Sequence, residues 1–314
     1  MGKIATREAY GKALAALALE NKNIVAVDAD LSGSTKTAEL KKVAVERHFN
    51  VGIAESNLIG VSAGLACNGK IPYCSTFAIF ATGRAYDQVR NTVAYGKLNV
   101  KICATHAGLT VGEDGATHQA LEDLALMRVI PNMTVIQPCD GIETEQCIKA
   151  ISQYYGPVYV RLGRSAVEAV NTNPDYKFEI GKGVVIHEGD KDIVMIATGV
   201  MVQQSLQAIE QLKEKGINPT LINIHTIKPL DEELILKYAK DAKYIVSLEE
   251  HNIYGGLGSA VAECLAKQCP RKQIFIGTQD TFGESGKPDQ LLEKYGLSAN
   301  KIVERIVNEC KGTC

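Results

Sequence analysis

The sequence is poor in aromatic residues and has no excess of either charge. It contains no Trp, and its 34 Lys and Arg residues stand against 36 Asp and Glu residues, which leaves a net charge of −2. A balanced charge provides no basic field for nucleic acid. No apolar run reaches the roughly 18 residues that a bilayer-spanning helix needs, and residues 1–7 lack the apolar core of a secretory signal. We therefore expect a cytoplasmic protein without nucleic-acid or membrane partners.

Cysteine pairs of the kind that bind zinc are also missing. None of the nine Cys residues forms a CxxC motif. An odd number of such cysteines in a chain of 314 residues indicates reduced thiols, most of them in the core, rather than a disulfide framework. Cys310 and Cys314, four residues apart near the C-terminus, could meet a metal or an oxidant. We nevertheless predict no metal ligands in this chain.

Phosphate-binding loops of the common types are absent as well. No GxxxxGK[ST] motif occurs, and the glycines of Gly255–Gly258 do not fit the dinucleotide-binding fingerprint. Residues 249–254 separate them from the preceding strand, and Val261 stands where the third Gly is required. We therefore expect no NAD binding.

The chain does contain apolar β-branched runs that alternate with stretches of helical period. This alternation predicts an α/β fold of two consecutive domains, each a mostly parallel sheet with helices on both faces. The predicted boundaries are 1–165 for the first domain, 166–189 for a linker and 190–314 for the second domain. The predicted strands are 23–27, 72–76, 100–104, 133–136, 158–161, 192–197, 218–224, 244–248 and 273–276, and the predicted helices are 7–19, 58–66, 82–95, 142–152, 202–215, 232–240 and 258–268.

A carboxylate stands just before an apolar helix of small residues. Glu55 precedes the helix predicted over 58–66. Burial of a carboxylate among Gly, Ala, Ile and Val is unfavourable unless hydrogen bonds compensate it. Glu55 alone could be an acidic first-turn residue that interacts with the helix dipole. Its surroundings make it the first candidate for chemistry.

A second candidate region is the glycine-punctuated loop 105–119, which directly follows the strand predicted over 100–104. It carries His106, His118 and the acid pair Glu113 and Asp114. Loops at strand ends carry function more often than cores do. Either His alone could be a structural imidazole. Two consecutive strand-end segments rich in Gly, His and acid are hard to explain as packing, so together they indicate a functional site.

These segments resemble the thiamine-diphosphate enzymes, the family of transketolase, 1-deoxyxylulose-5-phosphate synthase and the β subunits of 2-oxoacid dehydrogenases. The dehydrogenase subunits share residues 52–55 but lack the Asp-Gly-x-Thr-His-Gln run within 112–119. Residues 27–34 and 112–119 resemble transketolase, and the synthase shares the second motif in part. His106 is typical of transketolase, where the synthase has Arg, whereas Ala107 resembles the synthase. The resemblance covers nearly every residue, as a pyrimidine-binding domain followed by a C-terminal domain.

The resemblance implies that this chain holds part of thiamine diphosphate. Glu55 matches the glutamate that bonds to the cofactor's pyrimidine ring, so that the 4′-amino group can take the proton from C2 of the thiazolium. Phe80 matches the residue that stacks on the pyrimidine ring. Asp30 matches a weaker cofactor contact.

The resemblance also implies transfer of a two-carbon ketol unit from a ketose phosphate to an aldose phosphate. A phosphate is well held by Arg forks and neutral donors. Asp114 matches the position that contacts the C2 hydroxyl of the sugar, and His118 matches a catalytic position near the C1 hydroxyl. The positions that match the phosphate site are Arg7, Ser34, His106 and Arg164.

One part of the family pattern is missing. Transketolases hold magnesium and the diphosphate with a Gly-Asp-Gly segment followed by an Asn, and the nearest match here is Gly189-Asp190-Lys191. We therefore expect the C-terminal subunit of a split transketolase, with Mg²⁺ bound by an N-terminal partner subunit in a heterotetramer of two copies each. The alternatives are half of a deoxyxylulose-phosphate synthase, a dehydrogenase β subunit or a non-catalytic scaffold relative. Retention of Glu55, His106, Asp114 and His118 argues against the last.

Overall fold

The structure, a computed structural model, describes residues 2–311. Cys314 of the Cys310–Cys314 pair lies outside the described residues. The first domain contains β1 (Ile4–Ala5), α1 (Thr6–Glu20), β2 (Ile24–Asp28), α2 (Ser32–Thr35), α3 (Ala38–Val43), β3 (His48–Asn50), α4 (Glu55–Cys67), β4 (Ile71–Ser75), β5 (Lys101–Ala104), α5 (Asp123–Val129), β6 (Thr134–Ile136), α6 (Gly141–Gln153), β7 (Val158–Arg161) and β8 (Ala166–Val167).

The second domain repeats the alternation of strands and helices. Its elements are β9 (Val184–His187), β10 (Asp190–Ala197), α7 (Met201–Lys213), β11 (Pro219–Asn223), β12 (Thr226–Lys228), α8 (Glu232–Ala239), β13 (Tyr244–Asn252), α9 (Leu257–Gln268), β14 (Lys272–Thr278), α10 (Pro288–Lys294) and α11 (Ala299–Lys311). Short 3₁₀ turns occur at Val45–Arg47 and Leu109–Val111.

The first sheet has the strand order β12-β6-β7-β5-β4-β2-β3. All of its neighbours pair in parallel except β12, which runs antiparallel to β6. The second sheet has the order β14-β13-β10-β11-β9, and only β9 is antiparallel. The predicted fold class, two mostly parallel α/β domains, is confirmed.

Apolar residues on both faces of the strands explain why helices cover both sides of the first sheet. Alternate residues of a strand point to opposite faces. Ile24 and Ala26 of β2 pack with Tyr10 of α1, whereas Val27 packs with Leu58 of α4. Burial on both faces is characteristic of parallel sheets. The same alternation divides β10 of the second sheet between two apolar clusters.

The helix predicted over 82–95 is instead two π-helical segments, Phe80–Arg84 and Gln88–Ala94. Ala81, Ala85 and Val89 are buried at a constant spacing of four residues. Residues four positions apart lie near one face in either type of helix, so this spacing predicts a helix without fixing its type. Hydrophobic spacing alone did not separate the two helix types.

Residues 166–189, the predicted linker, include two strands. β8 pairs antiparallel with β1, and β9 joins the edge of the second sheet. Between them, Val170 and Asn171 donate backbone hydrogen bonds to the Asp140 carboxylate over 2.7 and 2.8 Å. This stretch is thus attached to the first domain at both strand β8 and Asp140.

The glycine run before α9 has a structural role. The buried Glu249 carboxylate accepts hydrogen bonds from the amides of Leu257 and Gly258 over 2.7 and 2.8 Å. Free amides at a helix N-terminus are what a phosphate would need. Here the Glu249 carboxylate accepts from these amides, so they are not free to bind a phosphate.

Candidate functional site

Four parallel strands of the first sheet end at one edge, and the candidate residues follow these ends. The strands β2, β4, β5 and β7 end at Asp28, Ser75, Ala104 and Arg161. In open α/β sheets, the loops after the carboxyl ends of strands form the crevice where ligands bind. Here those loops bring together the predicted residues Ser34, Phe80, His106, Asp114, His118 and Arg164, and α1 and α4 add Arg7 and Glu55.

Glu55 is the first residue of α4, and its carboxylate is nearly buried. The side chain is 7 % exposed, and Oε1 accepts a hydrogen bond of 3.0 Å from Nη1 of Arg84. The Arg84 guanidinium also lies over the Phe80 ring, 4.1 Å from its centroid. One planar cation therefore contacts both residues that we predicted to bind the pyrimidine ring.

Aromatic rings line the loop side of this pair. The Phe77 ring stacks on the His106 ring with centroids 3.9 Å apart, and it lies 5.9 Å from the Phe80 ring. The His118 ring presents its edge to Phe80 over 5.4 Å. The two predicted histidines thus lie against one wall formed by Phe77 and Phe80.

His106 combines a strained backbone with a neutral ring. Its φ is +57°, which is uncommon for a residue other than Gly and is found preferentially at functional sites. Burial, together with the nearby cations Arg7 and Arg164, lowers the pKa of His106 to about 3. The imidazole is therefore uncharged at neutral pH and can bind an anion as a neutral donor.

Arg164 lies beside the acidic loop residues as well as His106. Its guanidinium donates to the Val111 carbonyl oxygen, and it lies 3.5 Å from an Asp114 oxygen and 3.9 Å from a Glu113 oxygen. These carboxylates are more than two-fifths exposed, so water screens the pairs. Arg164 therefore keeps a charge that an incoming anion can use.

Arg7 reaches the loop that follows β2. Its Nη1 donates a hydrogen bond of 2.8 Å to the backbone oxygen of Ser34. The buried Asp28 stabilises that loop, because its carboxylate accepts hydrogen bonds of 2.6 and 2.9 Å from the hydroxyls of Thr35 and Thr37. Burial raises the pKa of Asp28. The Asp28 contacts position Ser34 beside Arg7.

Asp30 is the one predicted site residue whose described contacts lie outside this cluster. Its amide donates a hydrogen bond of 3.0 Å to the Asn50 side chain, which donates back to the Asp30 carboxylate over 3.1 Å. Asp30 also has a positive φ of +64°. The pair connects the ends of β2 and β3.

A buried ion pair lies under the loop that carries the histidines. Arg161 donates a hydrogen bond of 2.7 Å to the Asp123 carboxylate, and Tyr159 donates another of 2.6 Å. Although burial acts to raise it, the Arg161 charge holds the pKa of Asp123 below its usual range. Arg161 also donates hydrogen bonds of 3.0 Å to the backbone oxygens of Ala120 and Glu250. Arg161 is therefore a structural link between the domains, and Arg164 is the arginine available to a ligand.

Glu250 of the second domain contacts the histidine loop directly. Its Oε1 accepts a hydrogen bond of 2.5 Å from the Thr110 amide. Gly108 has φ +81°, and a Cβ there would lie 2.3 Å from the Glu250 carboxyl carbon, so only Gly fits. Burial raises the pKa of Glu250 to about 7, against the opposing effect of Arg161.

This raised pKa predicts a pH-dependent stability. The pKa of Glu250 is higher in the folded chain than in the unfolded chain, so its stabilising effect is present at low pH and is lost as pH rises through 7. Between pH 5 and 8 the loss amounts to about 2 kcal/mol. Glu250→Gln cannot ionise and can still accept from the Thr110 amide. In urea titrations, we expect the free energy of unfolding of wild type to fall by about 2 kcal/mol more than that of Glu250→Gln as pH rises from 5 to 8.

The control for this measurement is Glu145→Gln, because Glu145 is exposed on α6. Its pH profile should follow that of wild type. Parallel profiles for wild type and Glu250→Gln would show that Glu250 does not titrate in this range.

Sequence reasoning missed several residues of the site. Phe77, Arg84 and Asp28 lie beside predicted residues, and Glu250 is distant in the chain. Phe77 is three residues before Phe80 in the segment that follows β4, so the aromatic repeat was a usable signal. No comparable signal marks Arg84, because an exposed Arg is ordinarily a solvated surface charge.

Two further searches concern metals and membranes. Among residues 2–311, no group of three or more His, Cys, Asp or Glu side chains is arranged to hold a metal ion. The helices described for this chain also include none long and apolar enough to cross a bilayer.

Comparison with known proteins assigns both domains. Residues 2–169 match the family model of the transketolase pyrimidine-binding domain, and residues 181–302 match that of the transketolase C-terminal domain. The 6-deoxy-6-sulfo-D-fructose transketolase subunit SqwH of Clostridium sp. (strain MSTE9) is 41 % identical over 297 residues, which are 95 % of this chain and 92 % of that protein. Human transketolase is 37 % identical over 307 residues, but these are 97 % of this chain and only 49 % of that enzyme.

A solved structure described as "Split gene transketolase, inactive beta4 tetramer" has a TM-score of 0.90 to this chain, with 51 % identity over 97 % of this chain and 98 % of that one. The fold and these matches define the class of protein: a pyrimidine-binding domain joined to a C-terminal domain of the transketolase type. The chain belongs to the transketolase family, and it spans about half the length of human transketolase.

Proposed function

We propose that the chain is the C-terminal subunit of a split transketolase that is active with a partner subunit. The complex transfers a two-carbon ketol unit from a ketose phosphate to an aldose phosphate, with thiamine diphosphate as cofactor, in the pentose phosphate pathway of the cytoplasm. The observation that carries this proposal is the neutral His106, which lies near both Arg7 and Arg164 and on the aromatic wall that includes Phe80.

The Glu55–Phe80 pair fits the pyrimidine ring of the cofactor. A planar group that contacts the Phe80 face also reaches the Glu55 carboxylate, as the position of Arg84 demonstrates. Glu55 would hold a proton against the ring nitrogen, Phe80 would stack on the ring, and Asp30 would contribute a weaker contact. When bound, thiamine diphosphate supplies a carbanion that accepts the ketol unit.

Arg7, His106 and Arg164 fit a phosphate of the substrate, together with Ser34. Two guanidinium groups provide charge and fork geometry, and the neutral imidazole provides a donor that does not add to the repulsion between them. Arg164 lies close enough to Arg7 to lower the pKa of Arg7, although burial contributes more to that shift. An anion between them relieves this repulsion.

Asp114 and His118 are assigned to the sugar hydroxyls. His118 Nδ1 lies 2.9 Å from the Thr117 hydroxyl, which leaves Nε2 to receive or return a proton at the C1 hydroxyl. Asp114 is exposed in the same loop and would accept a hydrogen bond from the C2 hydroxyl. Asp114 is exposed and His118 is half-buried, which is compatible with a substrate that enters from solvent.

A partner subunit is proposed because the chain lacks the Gly-Asp-Gly…Asn segment. The name of the Clostridium relative, which calls it a subunit, and the description of the solved relative as an inactive tetramer support this view. The partner would carry Mg²⁺ and the diphosphate site. We propose two copies of each subunit.

Arg164→Ala tests the phosphate assignment. We expect it to weaken binding of ribose 5-phosphate by about 1.5 to 3 kcal/mol, the size of a charge-assisted hydrogen bond, because the distal phosphate loses one guanidinium. Binding of glycolaldehyde, which has no phosphate, should barely change. Steady-state kinetics of the two-subunit complex with both acceptors provides the comparison.

An equal loss with both acceptors would show that Arg164 supports the fold or the cofactor instead.

The same kinetic assay also compares donor substrates for the wild-type complex. The second candidate function, half of a 1-deoxyxylulose-5-phosphate synthase, is favoured by Ala107. A wild-type preference for pyruvate as donor would move the assignment to the synthase or to the dehydrogenase β subunits.

A further inference from the structure

Arg84 makes both contacts that the proposed function assigns to the pyrimidine ring. Its Nη1 donates to Glu55 Oε1 over 3.0 Å, and its guanidinium carbon lies 4.1 Å above the centroid of the Phe80 ring. A guanidinium is flat, carries hydrogen-bond donors at its edge and stacks on aromatic faces. An aminopyrimidine is also flat, forms hydrogen bonds at its edge and stacks on aromatic faces.

The backbone around Arg84 explains how the side chain reaches this place. Phe80 and Arg84 are the first and last residues of one π-helical segment, so the Arg84 side chain returns over the Phe80 ring. Such segments are rare and occur frequently at functional sites. Gly83, just before Arg84, has open space around its Cβ position. The Arg84 side chain is 55 % exposed and can therefore swing into solvent.

The contact also has an energetic reason. The Glu55 side chain is only 7 % exposed, and a buried carboxylate without a partner is unfavourable. Arg84 compensates its charge in the cofactor-free chain. A pyrimidine ring that bonds to Glu55 makes this compensation unnecessary.

We propose that Arg84 occupies the place of the pyrimidine ring in the cofactor-free chain and leaves it when thiamine diphosphate binds. Arg84 thus competes with the cofactor and sets its affinity. This proposal rests on the proposed function, because it assumes that Glu55 and Phe80 hold the pyrimidine ring.

The test is a calorimetric titration of thiamine diphosphate, with excess Mg²⁺, into the two-subunit complex. Arg84→Ala removes the competitor, so this variant should bind thiamine diphosphate with a Kd about 5- to 30-fold lower than that of wild type. A change of this size is the expected effect of losing one part-exposed ion pair and one cation–π contact. Arg84→Lys keeps the charge but not the flat fork, so its Kd should lie between the two.

Arg90→Ala is the matched control. Arg90 is exposed in the next π-helical segment and bonds to Asn91, so its removal changes the net charge equally without touching Glu55. Its Kd should equal that of wild type. An Arg84→Ala Kd equal to or higher than that of wild type would overturn the proposal while leaving the proposed function intact. If neither protein binds thiamine diphosphate, the proposed function itself fails.

A second measurement needs no cofactor. Thermal unfolding of the chain alone is compared for wild type, Arg84→Ala, Glu55→Gln and the double variant. If Arg84 compensates Glu55, the loss in Tm caused by Arg84→Ala should largely disappear in the Glu55→Gln background. Equal losses in both backgrounds would show that Arg84 does not hold the Glu55 carboxylate, and the proposal would fall.

Discussion

The purified chain is expected to show no measurable ketol transfer with thiamine diphosphate and Mg²⁺, and to gain activity when the partner subunit is added. Glu55 and Phe80 are proposed to contact only the pyrimidine end of the cofactor, and the sequence has no Gly-Asp-Gly segment of the kind expected to hold the diphosphate. The measurement is turnover of a ketose phosphate and ribose 5-phosphate, by the chain alone and in a titration with the partner. Activity should reach the order of 10 per second, a typical enzyme rate, at saturating partner.

A complex assembled from the partner and the Glu55→Gln chain is the control, because it tests whether the turnover depends on this chain. Co-purification from native lysate identifies the partner as the second chain that arrives in equal amount. Turnover near that typical rate by the chain alone would contradict the split-subunit function.

Glu55→Gln is expected to reduce activation of the cofactor by a factor of about 100 or more, the usual contribution of a positioned acid or base. Gln keeps the shape of the side chain and can still contact a ring nitrogen, but it has no ionisable proton. The direct measurement is hydrogen–deuterium exchange at C2 of thiamine diphosphate bound to the two-subunit complex. Ketol transfer should fall in parallel.

Glu46→Gln is the matched control for this experiment. Glu46 has the same side chain, is 70 % exposed and pairs with Arg47 rather than with a site residue. Its exchange rate should equal that of wild type. Unchanged exchange in Glu55→Gln would reassign Glu55 to the electrostatics of the α4 N-terminus. Because Glu55→Gln also removes the partner of Arg84, cofactor affinity has to be measured in the same samples.

The fold class could be predicted because it depends on local alternation of apolar residues. Strands such as Ile24–Asp28 are buried along their whole length, and continuous apolar runs between helices are typical of parallel sheets. The antiparallel strand Thr226–Lys228 could not be predicted in this way. Its pairing with Thr134–Ile136 of the other domain is a long-range contact that three residues of sequence do not encode.

The candidate site was predictable where its residues carry a family motif. Glu55, His106 and His118 belong to such motifs, and the structure gathers Glu55 and both histidines around Phe77 and Phe80. Their catalytic roles remain predictions. The stretch 82–95 was predicted to be helical, but that prediction did not include the π-helical turn that places Arg84 over Phe80. Neither Arg84 nor Phe77 was predicted.

The sequence by itself determined the two α/β domains, the strand-end loops and the resemblance to transketolase, because periodicity and motifs are local properties of the chain. Only the tertiary structure decided which charges meet. Arg161 and Arg164 are three residues apart, yet Arg161 is buried against Asp123 and Arg164 faces the loop with Asp114. Burial and charge pairing depend on residues distant in the chain. For the same reason the Arg84–Glu55 pair, which joins residues 29 positions apart, appears only in the folded protein.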